Sequence, residues 1–136
     1  MSDCPRGEKR PLEEIDYGME LVLDLHDCDP DTFTRQAIEL YFLDLCKLID
    51  MEPCALHFWD DEGVPEAERQ TNPKTKGTSA VQFILTSSVV IHTLDLLRAV
   101  YLNIFSCKCF DSDTAARFSA EAFGSKDWSA RVLRRR

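Results

Sequence analysis

The amino-acid sequence predicts an α+β fold, a two-layer sandwich in which an antiparallel β-sheet carries two α-helices on one face. Two patterns support this prediction. Some stretches alternate apolar and polar residues with the period of two typical of strands, and others space apolar residues by three and four, as amphipathic helices do. The order along the chain is strand, helix, several strands and helix, which suits antiparallel pairing with the helices gathered on one side.

The first strand and the first helix have the clearest patterns. Apolar residues recur at every second position from Met19 to Leu25, which predicts a half-buried strand. Asp29 is a capping residue and Pro30 suits a first helical position, so a helix is expected to begin there. Its apolar face is expected to contain Phe33, Ala37, Ile38, Tyr41, Leu45, Leu48 and Ile49.

The middle of the chain should supply the rest of the sheet. Residues 54–59 are predicted to form a second strand, and the polar stretch 60–77, with its glycines and prolines, is predicted to be an exposed loop. Three apolar segments rich in Val, Ile and Phe follow at 79–86, 88–94 and 99–107. Their composition is typical of buried strands.

A second helix and a basic tail are expected near the C-terminal end of the sequence. Asp111 is a plausible cap and Gly124 a plausible stop for a helix over 112–123. The segment 125–136 ends in Arg134, Arg135 and Arg136, which are interpreted as solvated side chains on a loose tail.

Composition limits the class of protein. The chain has 136 residues, enough for one domain, which is expected at 18–124 after a flexible polar arm at 1–17. Its net charge of -8 argues against nucleic-acid binding, which requires a basic surface. No apolar run reaches the ~18 residues of a membrane span, and no signal peptide is evident, so a cytoplasmic protein without membrane partners is expected. The six cysteines follow no disulfide framework and are interpreted as free thiols.

Polar residues in the predicted strands have a distinctive spacing. Ser79 stands in a Gly-x-Ser segment, and Ser87 follows it by eight residues. His92 comes five residues after Ser87, and Cys107, in a Phe-x-Cys segment, comes fifteen residues after His92. A hydroxyl, an imidazole and a thiol are the groups needed for a nucleophile, a base and a proton donor, and strand pairing is expected to bring them together. This spacing and the upstream strand–helix–strand order resemble the short prokaryotic S-adenosylmethionine decarboxylases.

The resemblance implies that the chain makes its own pyruvoyl cofactor and needs no metal or pyridoxal phosphate. The Ser87 hydroxyl would attack the carbonyl of Thr86, and Ser79 would stabilise the intermediate. His92 would then remove the Cα proton of Ser87, leaving two fragments, the second of which begins with a pyruvoyl group. This group would form an imine with the substrate amine and accept electrons as CO₂ leaves. Cys107 corresponds to the proton donor of the family.

The resemblance also implies a substrate and a partner. S-adenosylmethionine would be decarboxylated for spermidine synthesis by a homodimer in which both protomers contribute to the active sites. Thr86 departs from the family pattern, which usually has glutamate before the cleaved serine. Two alternatives therefore stay open: a decarboxylase with the same cofactor that acts on ornithine or arginine, and an uncleaved paralogue that acts as a binding or regulatory partner.

Two further groups of residues have both a functional and an ordinary interpretation. Phe58 and Trp59 are candidates for stacking on an adenine ring, although packing in a core or interface is the commoner role of such residues. Cys107 and Cys109 are expected on the same face of a strand, but the further ligands of a zinc site are not evident near them.

Overall fold

The computed structural model describes residues 16–136 and contains one antiparallel β-sheet and two α-helices, which confirms the predicted α+β sandwich. The predicted N-terminal arm lies outside the described residues, except for Asp16 and Tyr17. The strands are β1 (Gly18–His26), β2 (Pro53–Trp59), β3 (Gly77–Ile84), β4 (Ser87–Leu94), β5 (Ala99–Ser106) and β6 (Asp127–Arg135), and the helices are α1 (Arg35–Leu48) and α2 (Ser112–Ala122).

The sheet has two different faces. Its strand order is β2-β3-β4-β5-β1-β6, and all neighbouring strands are antiparallel. Alternate residues of the central strands, such as Leu21, Leu23 and Ile104, are fully buried. They form one hydrophobic core with the apolar sides of the two helices. The intervening residues form the opposite face, here called the open face, on which no helix of the described chain packs.

The C-terminal segment differs from the prediction. Instead of a loose tail, residues 127–135 form β6 and pair with β1 along its whole length. Arg134 forms an ion pair with Asp16 at 2.8 Å, and the Arg135 guanidinium lies 5.3 Å from the centroid of the Phe105 ring. The folded part of the chain therefore continues beyond the predicted boundary at residue 124.

The helices begin and end close to the predicted residues, with one correction. Asp29 and Pro30 start a short 3₁₀ turn, and α1 begins only after Thr34, whose hydroxyl oxygen accepts a backbone N–H at 3.1 Å. Helix α2 begins at the predicted residue and ends one residue before the predicted end. Asp111 caps it, and Gly124 follows it with a φ of 63°, a left-handed conformation that glycine adopts without strain.

The buried side of α1 is slightly rotated from the predicted one. Ile38, Tyr41 and Leu45 face the core as expected, whereas Leu48 is 44% exposed. Cys46, which was not predicted on this side, is buried, and it lines the cleft described below.

Candidate active site

The turn between β3 and β4 contains the peptide bond before Ser87. Ile84 pairs with Ser87, so Leu85 and Thr86 alone make the turn. Thr86 has a φ of 55°, in the left-handed region that is a genuine outlier for a β-branched residue. The backbone is therefore strained immediately before the serine that was predicted to attack it.

Ser87 lies against Cys107. The Ser87 side chain is buried, and its hydroxyl oxygen accepts a hydrogen bond from the Cys107 backbone N–H at 2.9 Å. The Cys107 sulfur lies 3.8 Å from the carbonyl oxygen of Leu85. Hydrogen bonds with the side chains of Ser87 and Thr86 hold the pKa of the Cys107 thiol below its usual value. A hydroxyl and an activated thiol thus occupy one site.

A cleft of about 740 Å³, here called the Ser87 cleft, opens onto these two residues. Its opposite wall is the C-terminal end of α1 and the segment after it, including Lys47 and Asp50. The Lys108 ammonium donates a hydrogen bond to the Asp50 backbone carbonyl at 2.5 Å and so ties the end of α1 to the segment after β5. The volume lies within the ~300–1,000 Å³ typical of small-molecule sites.

Ser79 and His92 form a second polar pair at the other end of the same hairpin. They face each other across β3 and β4, and the Ser79 hydroxyl oxygen lies 2.7 Å from Nδ1 of His92. His92 is exposed on the open face, where it lines a cleft of about 460 Å³ together with Trp59 and Tyr101. This second space is called the His92 cleft.

The two polar pairs do not converge within one chain, although convergence was expected. Ser87 and His92 lie five residues apart on β4, which at ~3.3 Å per residue separates them by roughly 16 Å. The odd spacing also directs their side chains to opposite faces of the sheet. Ser87 is buried on the side of the helices, whereas His92 is exposed on the open face. The His92 imidazole therefore does not reach Ser87 of its own chain in this conformation.

The two aromatic candidates also lie on opposite sides of the sheet. Phe58 packs against the core, with the Arg35 guanidinium 5.2 Å from its ring centroid. Trp59 is 67% exposed and lines the His92 cleft. Of the two, Phe58 therefore packs against the core and Trp59 lines the cleft.

The loop predicted at 60–77 forms part of the wall of the His92 cleft, to which Lys74 contributes. Arg35 anchors the start of this loop through two hydrogen bonds of 2.7 Å to the Asp60 carboxylate and a 2.8 Å contact with Glu62. The hydrogen bonds from Arg35 lower the pKa of Asp60. Sequence reasoning missed this anchor because its partners are 25 residues apart and no local pattern links them.

Residues 16–136 show no metal site, no disulfide and no membrane-spanning helix. Within this range, no group of three or more His, Cys, Asp and Glu side chains is arranged to hold a metal ion. The five cysteines in the same range form no disulfide with one another. None of the helices described is both long and apolar enough to cross a membrane.

Comparisons with known proteins were made with both the sequence and the fold. The sequence matches the S-adenosylmethionine decarboxylase family over residues 19–136, a range that includes β6. The fold is similar to the crystal structure of the adenosylmethionine decarboxylase from Aquifex aeolicus VF5, with a TM-score of 0.67 and 16% sequence identity. That alignment covers 88% of this chain and 91% of the Aquifex chain. A search of curated proteins found no match to the sequence.

Proposed function

Because this chain belongs to the S-adenosylmethionine decarboxylase family, we propose that it cuts itself before Ser87 and uses the pyruvoyl group so formed to decarboxylate S-adenosylmethionine. The observation that carries this proposal is the position of Ser87, directly after the strained Thr86 and in hydrogen-bond contact with Cys107. The product would feed aminopropyl groups into spermidine synthesis in the cytoplasm.

The first step of the cut replaces a peptide bond with an ester. The Ser87 hydroxyl oxygen bonds to the Thr86 carbonyl carbon, the C–N bond breaks, and the hydroxyl proton passes to the departing nitrogen. A left-handed backbone at Thr86 costs about 1–3 kcal/mol in the uncut chain. The completed cut removes this cost because Thr86 becomes a chain end once the ester is broken in the second step, so the strain favours the reaction as a whole.

The second step needs a base. The Cα proton of Ser87 is removed, the Thr86 carboxylate leaves, and water converts the remaining enamine into the pyruvoyl group with release of ammonia. We assign the proton removal to His92, held by the 2.7 Å contact with Ser79. The separation of these two residues from Ser87 within one chain then requires that another chain supply them.

A second copy of this chain, packed on the open face, is the proposed source of His92. This face carries the half-buried apolar residues Val81, Val90 and Phe105 as well as the Ser79–His92 pair. Sheets commonly pack face to face about 10 Å apart. A two-fold axis across the strands reverses their direction, which carries the His92 end of one sheet over the Ser87 end of the other. Because the Ser87 side chain points to the helix side, the partner's imidazole would have to reach the Ser87 backbone, with its Cα proton, from the open face.

Decarboxylation itself would take place in the Ser87 cleft. The pyruvoyl group supplies an electron sink when CO₂ leaves the substrate, a task for which no ordinary side chain is suited. Cys107 then returns a proton to the substrate carbon. Two observations support this role: Cys107 lines the same cleft as Ser87 and donates its backbone N–H to the Ser87 hydroxyl, and its lowered pKa makes it a stronger acid than an ordinary thiol.

Two inactivated chains test the cut and the shared site together. Ser87→Ala and His92→Ala chains of different tag mass are each expected to stay uncut alone. When the two are refolded as a mixture, the His92→Ala chain should be cut, because it keeps Ser87 and receives His92 from its partner. Intact mass under denaturing conditions identifies the two fragments, residues 1–86 and a carbonyl-blocked remainder.

The outcomes of this experiment separate the two parts of the proposal. A wild-type chain that cuts, combined with a mixture that does not, would show that His92 does not act between chains. A wild-type chain that stays uncut on long incubation would overturn self-cutting and favour the uncleaved paralogue. His57→Ala is the matched control, since His57 is also exposed on the sheet and should cut normally.

Thr86 is the specific observation that favours a second candidate, a decarboxylase of ornithine or arginine with the same cofactor. The cut protein distinguishes the substrates directly. We expect release of labelled CO₂ from S-adenosylmethionine and none from ornithine or arginine. The reverse pattern would overturn S-adenosylmethionine as the substrate and support ornithine or arginine instead.

A further inference from the structure

Thr86 replaces the glutamate usual in the family, so the resemblance assigns no role to its side chain. Its hydroxyl donates a hydrogen bond to the Leu85 carbonyl oxygen at 2.8 Å. The same carbonyl oxygen lies 3.8 Å from the Cys107 sulfur. One backbone oxygen thus links the Thr86 hydroxyl with the Cys107 thiol.

Polar contacts, rather than burial, connect this turn to the segment after β5. The Leu85 side chain is 76% exposed and Thr86 is exposed too, so neither holds the turn by packing into the core. A second contact joins the same segments, because the Ser87 hydroxyl oxygen accepts the Cys107 backbone N–H at 2.9 Å. Leu85 and Ser87 therefore both contact Cys107. Thr86 lies between them, and its hydroxyl contacts the same Leu85 carbonyl oxygen as the Cys107 sulfur.

We propose that Thr86 is a positioning residue for Cys107: its hydroxyl, acting with the Leu85 carbonyl, holds the Cys107 sulfur beside the Thr86–Ser87 bond. The importance of this bond rests on the proposed function, whereas the contacts themselves belong to the uncut chain. Hydrogen bonding with Ser87, and after it with Thr86, lowers the pKa of the Cys107 thiol. Loss of the hydroxyl should therefore make the thiolate harder to form.

Other ionisable groups line the same cleft as Cys107. The end of α1, the segment after it and the segment after β5 contribute Cys46, Lys47, Asp50, Glu52 and Lys108 to the same cleft. All of them remain when Thr86 is replaced. A difference between Thr86 variants thus reports the hydroxyl and not the general charge of the cleft.

Alkylation of Cys107 measures this effect without relying on catalysis. Thr86→Val and Thr86→Ser are placed in a His92→Ala background, which is expected to keep every chain uncut and leaves the Ser87 contact with Cys107 intact. The rate of reaction with iodoacetamide is followed across pH by peptide mass spectrometry. Because the thiolate is the species that reacts, the midpoint of the rate profile follows the ionisation of Cys107. We expect the midpoint to move to higher pH in Thr86→Val and to return in Thr86→Ser.

Internal controls make either outcome decisive. Exposed Cys54 should keep the same profile in every variant, and buried Cys28 should stay unreactive if the fold is intact. If Cys28 reacts in Thr86→Val, Thr86→Ala provides a second side chain without a hydroxyl. Equal Cys107 midpoints in all variants, or a Thr86→Ser midpoint displaced as far as that of Thr86→Val, would overturn the proposal. Failure of self-cutting would instead appear as an uncut wild-type chain.

Discussion

The two ends of the β3–β4 hairpin carry different parts of the proposed chemistry. At the turn, Ser87 is buried, the backbone before it is strained, and Cys107 lies within hydrogen-bond distance. At the far end, Ser79 and His92 form a pair that faces the open side of the sheet. In the proposed chemistry, the turn end holds the nucleophile and the proton donor, whereas the far end holds a base that does not reach Ser87 within the described residues 16–136.

This difference indicates how a chain of this size can build an active site. A hairpin with a two-residue turn places residues equally far from the turn opposite each other, as it does Ser79 and His92. Because both residues lie on the extended strand β4, the same pairing also keeps His92 roughly 16 Å from Ser87. In the proposed dimer, a second copy would remove the conflict without bending the sheet, because two-fold symmetry would reverse one hairpin against the other.

The largest expected effect concerns the turn end. Ser87→Ala should abolish both cutting and decarboxylation, because no hydroxyl remains to attack the Thr86 carbonyl. Denaturing intact mass and release of labelled CO₂ measure the two activities. Ser88→Ala, one residue further and on the open face, should still be cut; cutting of the Ser87→Ala chain would exclude the assigned site.

A smaller effect separates the two residues that share the turn end. Cys107→Ala should be cut almost as completely as the wild type, yet its decarboxylation rate should fall ~100-fold or more because a proton donor is missing. Cys109→Ala serves as the control and should keep its rate. An unchanged rate and product distribution in Cys107→Ala would remove this thiol from the mechanism.

The smallest effect concerns the loop beside the His92 cleft. Asp60→Asn should lower the free energy of unfolding by roughly 1 kcal/mol near neutral pH by weakening the contact with Arg35. Because the folded-state pKa of Asp60 is lowered, this stabilisation is present above the usual aspartate pKa and is lost as pH falls through the lowered value. Urea unfolding of both proteins at several pH values should therefore give converging stabilities in acid, with exposed Asp44→Asn as the control. A difference that stays constant with pH would show that the ion pair is not responsible.

Local patterns in the sequence were sufficient for most of the fold. The alternation in β1 and the spacing in α1 both arise from burial of one side, which a sequence records directly. Strand β6 was missed because it lies at the edge of the sheet and exposes nearly all its residues, so its alternation carries little hydrophobic contrast. The signal for this strand was the alternation of Trp128, Ala130 and Val132 with more polar residues. The arginines at the end of the sequence led instead to the prediction of a solvated tail.

The candidate site was predictable in its residues but not in its arrangement. The resemblance to the family, carried by their spacing, pointed to Ser79, Ser87, His92 and Cys107, and the pairing of Ser79 with His92 follows from a two-residue turn between β3 and β4. Their distance from Ser87 also follows from the period of a strand, once the turn is located. The contact of Cys107 with the turn depends instead on how β5 ends beside β4, which no local pattern specifies.

The strand order has a consequence for the life of the cut molecule. A cut before Ser87 would leave β1, β2 and β3 in one fragment and β4, β5 and β6 in the other. Because β1 lies between β5 and β6, the fragments interleave, and separating them breaks three strand pairs. The mature protein would thus be an obligate complex of two different subunits that derive from one precursor chain. Its original folding is unimolecular, but any refolding after dissociation would require the fragments to meet, so recovery from denaturation would depend on concentration.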